Sequence, residues 1–463
     1  MIESRLACRG CAARILVRLL AVAICLGASL LDGGTALAQV GGGLGGFRSV
    51  GGIAIDAQGI VENLDGRALE SLAAERRESL KNAGPVKAGE LRKVSLAAVT
   101  AAVAEFSAAG KPIPADLLLL GGLERITHVF VDPDGHDIIL AGPADKAAVD
   151  AAGNLVAASS GRPLLQLEDL IVALRTTDQA RKGGILCSID PTQEGLKNLQ
   201  KFLGAQRTIG PNPEAVFRGM EQALGPQTVT VGGVPAGSRF ALVLVAADYR
   251  MKRIGMGLEP SGIRELPSYL ALVPPGAKTT ALPRFWLEAE YEPLARDADE
   301  LAWRIGGRRM KCLTENDVIA KGGIDRSAAP ADKGAEKWCA AMTEHYDKLA
   351  AKHPVFAELV NCVDVAVVAA LIQSRQLPTR AGLDLGPLLD AEKLPLPTYN
   401  PPTSVPTVAS GIKKGTNWVL SASGGVQFQP WEFAANSAAS EDVGQTRARA
   451  ISAKADPSAW WWD

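Results

Sequence analysis

The sequence predicts a mixed α/β or α+β fold, built as a single large body with hairpins and amphipathic helices. Helical periodicities and β-rich runs alternate along the chain, but without the even spacing of a doubly wound sheet. An apolar-Asp-x-x-Gly unit recurs at Ile55, Val131 and Val149, each time soon followed by more apolar residues, as turns between strands are. Of 463 residues, 47% are hydrophobic and 21% charged. That composition supports a substantial core, in one large body or two to three ordinary domains.

The first 38 residues read as a secretory signal peptide. Arg5, Arg9, Arg14 and Arg18 precede an apolar stretch at 19–31, and Ala36-Leu37-Ala38 supplies a cleavage site. The stretch is too short for a durable span, and Ile24 before Cys25 argues against a lipoprotein anchor. The expected address is periplasmic, envelope-associated or extracellular. Residues 39–52 form a glycine-rich linker. Its Gly41, Gly43 and Gly46 satisfy G-x-G-x-x-G, but no strand precedes them and no helix follows, so no dinucleotide site is read there.

The body is expected over 53–372. Its best hairpin is 127–141, turning at Asp132-Pro133-Asp134-Gly135. Ser95 precedes Leu96, Val99, Val103 and Phe106 at helical spacing, and a second helix is expected over 166–175. Asp190-Pro191-Thr192-Gln193 offers an N-cap, a first-position proline and an amide, opening a helix with Leu196, Leu199 and Leu203 on one face. Asn212-Pro213-Glu214 repeats that opening, and Gly225-Pro226 stops the helix it begins. Ser238 starts another helix to about Lys252, and 336–372 completes the set. Strands are expected at 184–188, 227–231, 284–291 and 309–313. A candidate sub-boundary lies near 274–283. Five prolines from Pro395 to Pro406 open an irregular, poorly packed tail, 373–463, ending in Trp460-Trp461-Trp462.

Charge excludes some partners. Forty-nine basic residues against 50 acidic ones, with no long runs, argue against nucleic acid or an anionic membrane as the main target. No later uninterrupted apolar run is long enough to span a bilayer; 363–372 is about half of what is needed. Loss of the leader leaves Cys187, Cys312, Cys339 and Cys362, which allow two disulfides in three connectivities. If 338–372 were one straight helix, Cys339 and Cys362 would stand about 34 Å apart, beyond bonding reach, but a break at Pro354 reopens that pairing.

Strong catalytic signatures are absent: no G-x-S-x-G, no H-E-x-x-H, no phosphate-binding loop, and no C-x-x-C after the leader. His128 and His136 flank the hairpin turn and, with Asp134 or Asp137, would make a thin metal site; a solvated hairpin tip is the better reading. No metal and no cofactor are expected. A nucleophile can be built from Cys187 or Ser188 beside Asp190, but nothing in the sequence brings a histidine there, and capping is a sufficient role for Asp190. Asp248, Tyr249, Arg250, Lys252 and Arg253 are the candidate binding residues. Two guanidinia and a phenol within two helical turns can hold a carboxylate or phosphate, and Asp248 and Lys252 form an i,i+4 pair worth about 0.2–0.5 kcal/mol.

Gly161-Arg162-Pro163-Leu164-Leu165, residues 167–175, Ser188-Ile189-Asp190-Pro191, 244–259 and 354–372 resemble segments of a domain-of-unknown-function family of secreted bacterial proteins with glycine-rich leaders. The resemblance spans roughly 51–372 and implies one integral module. It carries no activity, ligand or site residue, and the four cysteines are not part of its pattern. The function expected is that of an exported envelope protein, a non-catalytic binding or structural module for a protein, glycan or envelope component. The alternative is a secreted hydrolase of unfamiliar design using Cys187 or Ser188.

Overall fold

The computed structural model describes residues 49–82, 86–205, 213–273, 281–320, 323–329, 333–410, 422–456 and 459–463. The expected signal peptide, most of the leader and most of the candidate sub-boundary lie outside them. The fold is mixed α/β, as the sequence predicts.

The described strands form two seven-stranded sheets, a three-stranded sheet and a two-stranded sheet. Across the first sheet the strands run Gly323–Ala329, Arg309–Ala320, Ala281–Glu290, Ser423–Phe428, Ile185–Asp190, Gln227–Gly232, Ser404–Val405. Across the second they run Ser437–Ala439, Leu294–Arg296, Ala302–Arg304, His128–Asp132, Asp137–Ala144, Gly89–Ser95, Trp461–Trp462. One pair in each sheet is parallel, Ala281–Glu290 with Ser423–Phe428 and Leu294–Arg296 with Ser437–Ala439; the other pairs are antiparallel. The helix Arg239–Gly255 lies on the first sheet, and Pro354–Ser374 packs on it and on Leu167–Gly183. A single apolar cluster joins Val129 of the second sheet, Val365 of the central helix and Val426 of the first.

Local chemistry explains these elements. Ser238 Oγ accepts the Ala241 N–H at 3.2 Å and opens its helix. Residues 240–247 are then all buried, because this helix is covered by the sheet below and by helix above. All three Asp-x-x-Gly units are turns: Asp56, Asp132 and Asp150 each accept backbone N–H groups of their own turn. The hairpin pairs His128–Asp132 with Asp137–Ala144.

Several expectations need correction. The linker ends earlier than residue 52, since Ser49–Val50 already pairs with Ile53–Ile55, and Gly51 sits at φ +58 with its missing Cβ position 2.8 Å from Val355. The expected helix 336–372 is three: Lys333–Glu344, Tyr346–Lys352 and Pro354–Ser374, the last with proline at its first position, where no N–H is needed. The helix after Asp190 is capped by Thr192, whose Oγ1 accepts the Gly195 N–H at 2.9 Å, so Asp190 is released from the capping role. The region 373–463 contains irregular proline-rich chain but is not poorly packed. It supplies Ser423–Phe428 to the middle of one sheet and Trp461–Trp462 to the edge of the other. Pro354–Ser374, 21 residues with an 18-residue window of mean hydropathy 2.2, is long and apolar enough to cross a membrane; the count of uninterrupted apolar residues misses this, and 89% of that window is buried inside the fold.

Candidate functional site

The polar end of Arg239–Gly255 divides into a sealed half and a surface half. A helix turns about 100° per residue, so Asp248 and Lys252 share one face. That face is pressed onto the sheet, leaving Asp248 at 0% and Lys252 at 8% side-chain exposure. All three ammonium protons of Lys252 are used: Nζ donates to Asp248 Oδ2 at 3.0 Å, to the Ile189 carbonyl at 3.0 Å and to the Gly424 carbonyl at 3.1 Å. Burial pushes the Asp248 carboxyl up to about 7 against the pull of that ammonium. Its other oxygen, Oδ1, is buried and accepts no hydrogen bond from a described residue. Two further charges adjoin the pair. Arg284 is fully buried over the Trp286 ring at 4.2 Å, with Nη2 3.7 Å from Asp190 Oδ1.

Two glycines make room for this cluster. Gly424, at φ +126, and Gly425 lie where a Cβ would fall 1.8 Å from the Phe285 carbonyl oxygen and 1.9 Å from that of Cys187. The strand can therefore bring its backbone oxygen down onto Lys252.

On the surface half, Arg250 Nε lies 3.2 Å from Glu259 Oε2, and Arg253 Nε donates to Glu259 Oε1 at 2.5 Å. Arg250 also donates to the Gly51 carbonyl at 2.9 Å, tying the first hairpin to the helix, and Arg253 stands 5.5 Å from the Tyr249 ring centre. These groups are partly exposed, at 16%, 21% and 18% for Arg250, Arg253 and Glu259. Both guanidinia thus face a carboxylate of the chain itself, that of Glu259. Glu259 was beyond sequence reasoning because it lies past the helix end; only its charge, in a turn after two arginines, hinted at it.

The structure does not bring the nucleophile candidates to a base. Cys187 is fully buried, and its thiol is pushed well above the usual range by burial and by Asp248. Ser188 points to the other face of its strand, half-buried. Nor are the hairpin histidines together: His128 contacts Thr127 Oγ1 and stacks on Phe130, whereas His136 reaches the Ala381 carbonyl. Asp137 accepts the Ala97 N–H at 3.0 Å. Among the described residues no group of three or more His, Cys, Asp or Glu is placed to hold a metal.

Two buried networks escaped the sequence reading. Arg239 pairs with Asp169 and Glu358 and lies 3.8 Å from Glu168, which accepts the Tyr399 hydroxyl at 3.0 Å. Farther along the same central helix, Asp364 accepts from Tyr291 at 2.6 Å and pairs with Arg309 at 3.0 Å. Burial raises all three carboxyls, Asp169, Glu358 and Asp364, against their guanidinium partners. The available signal was a pair of acids, Glu358 and Asp364, inside a mostly apolar helix. A cleft of about 270 Å³ opens elsewhere, between Lys81, Asp116, Asp145 and Lys146, and none of the candidate residues lines it. Asp145 there spends its oxygens on the Lys146 and Ser159 amides.

No curated protein and no solved structure matches the chain. Residues 187–269, which hold the buried Asp248–Lys252 pair and the whole Arg250–Glu259–Arg253 clasp, match the family model described as a protein of unknown function (DUF1598).

Proposed function

We propose that this chain is an exported, non-catalytic binding module of the cell envelope, and that the Arg250–Glu259–Arg253 clasp is its partner-facing surface. One observation carries the reading: two partly exposed guanidinia already grip a carboxylate in the geometry an acidic ligand would need. An incoming carboxylate or phosphate on a protein, glycan or other envelope component would exchange with Glu259. The signal-peptide reading of residues 1–38 and the resemblance to secreted proteins over 51–372 support the envelope address. The burial of Pro354–Ser374 supports a core helix rather than a span. The hydrolase alternative is weaker, because Cys187 is sealed and its thiol holds its proton.

Co-sedimentation with isolated envelope fragments tests the proposal. The wild-type chain is expected in the pellet and to be displaced by soluble citrate or polyphosphate. The Arg250→Ala/Arg253→Ala double variant, shown to be folded by circular dichroism, is expected to bind about tenfold more weakly, equivalent to roughly 1.4 kcal/mol. Undiminished binding by the folded double variant removes the clasp from the proposal. Labelling of Cys187 or Ser188 by an electrophilic probe, lost on replacing that residue, would favour the hydrolase instead.

A further inference from the structure

We propose that Cys312 and Cys339 are joined by a disulfide in the mature protein, with Cys187 and Cys362 left as thiols. Cys312 lies on the strand Arg309–Ala320 and Cys339 on the helix Lys333–Glu344, and their sulfurs are 3.4 Å apart. One turn beyond Cys339, Thr343 Oγ1 accepts the Cys312 N–H at 2.8 Å and fixes helix against strand at this point. Closing the bond needs two sulfurs already in contact to approach by about 1.4 Å.

The other two cysteines have different neighbours. Cys187 sits beneath Arg239–Gly255 beside Asp190, Asp248 and Lys252, whereas Cys362 lies on the central helix beside Asp169 and Arg239. The three connectivities open to the sequence therefore reduce to one bond.

The oxidant is a disulfide-carrying exchange partner, such as oxidised glutathione or a thiol–disulfide oxidoreductase. One cysteine thiolate attacks the oxidant's S–S bond and expels a thiolate, giving a mixed disulfide. The second cysteine thiolate then displaces the remaining oxidant thiol. Two protein thiols give up two electrons and two protons, and the oxidant leaves as two thiols. Both cysteines are 4% exposed, so the exchange belongs to the folding chain, before helix and strand close over the sulfurs. Oxidation in the cell rests on the export reading, but the pairing does not.

Unfolded, reduced protein refolded in a glutathione redox buffer, then alkylated and digested with trypsin without reductant, tests the pairing. The peptides 312–321 and 338–348 are expected as one linked species lacking two hydrogens, with Cys187 and Cys362 alkylated. Linkage of any other pair, or four alkylated cysteines, overturns the proposal. The same mapping on protein isolated from the producing cell is expected to give the same species. A bond that forms in the buffer but is absent from the cellular protein overturns the disulfide in the mature chain and the export reading, while leaving the geometry standing. The oxidised protein is expected to melt several degrees lower once reductant is added, a shift absent from the Cys312→Ser/Cys339→Ser variant.

Discussion

At the scale of single residues, Asp248 is the most consequential group. Its carboxyl titrates near 7 in the folded chain against an ordinary value of 3.8, so folding is favoured when it is protonated. Its contribution is fully present below about pH 4, falls as pH rises toward 7, and is gone above that. The ceiling is about 4 kcal/mol, three pH units at roughly 1.4 kcal/mol each. We predict that the stability of wild type relative to Asp248→Asn declines steadily between pH 4 and pH 8, read by urea unfolding at each pH. A difference that stays constant over that range would show that Asp248 does not titrate there. The pairing of Asp248 with Lys252 was legible, because i,i+4 spacing is a property of any helix. Its burial was not, because what covers Lys252 is a carbonyl, Gly424, that lies 172 positions further along the chain. Asp190 shows the reverse case: the sequence reads it as the cap, but Thr192 accepts the Gly195 N–H and Asp190 Oδ1 lies 3.7 Å from Arg284 Nη2, a neighbour that sequence periodicity does not reveal.

At the scale of elements, strands with alternating β-formers were readable, and Gln227–Gly232 falls almost where expected. Ser423–Phe428 was not, because its two glycines lower strand propensity. Those glycines are what the position demands. We predict that Gly425→Ala destabilises by about 3 kcal/mol or more, since its Cβ would fall 1.9 Å from the Cys187 carbonyl oxygen and 2.7 Å from Trp286 Cζ3, with the strand paired on both sides. Gly204→Ala, in a helix with nothing within 4 Å, should instead stabilise by about 0.5–1 kcal/mol. Urea midpoints of the two variants moving in the same direction would contradict this account.

At the scale of the whole molecule, the chain was expected to carry a poorly packed tail. Instead Val426 and Phe428 belong to the main apolar cluster, on a strand that packs against Arg239–Gly255, and Trp462 shares a second cluster with Phe130 and Ile139 of the second sheet. Arg92, at 0% exposure, has its guanidinium paired to Asp463 at 2.7 and 2.9 Å and lies 4.1 Å from the Trp461 ring centre. Losing Asp463, itself 43% exposed, would leave the buried Arg92 guanidinium without its carboxylate partner. We predict that deleting residues 422–463 gives an insoluble or unfolded chain, and that limited proteolysis of the intact protein leaves 423–428 within the resistant core. A soluble, cooperatively melting fragment ending near residue 372 would refute this.

The late position of the Gly424 strand also sets a clock. At about 5–20 residues per second, synthesis reaches Gly424 roughly 9–34 s after Lys252. Until then the flanking strands Ala281–Glu290 and Ile185–Asp190 have a gap between them, and the Lys252 ammonium lacks one of its acceptors. The growing chain therefore cannot close its first seven-stranded sheet in the order in which it is made. From the completion of Ala281–Glu290 until Ser423–Phe428 is made, two sheet edges stay unpaired, and unpaired edges invite pairing with other chains.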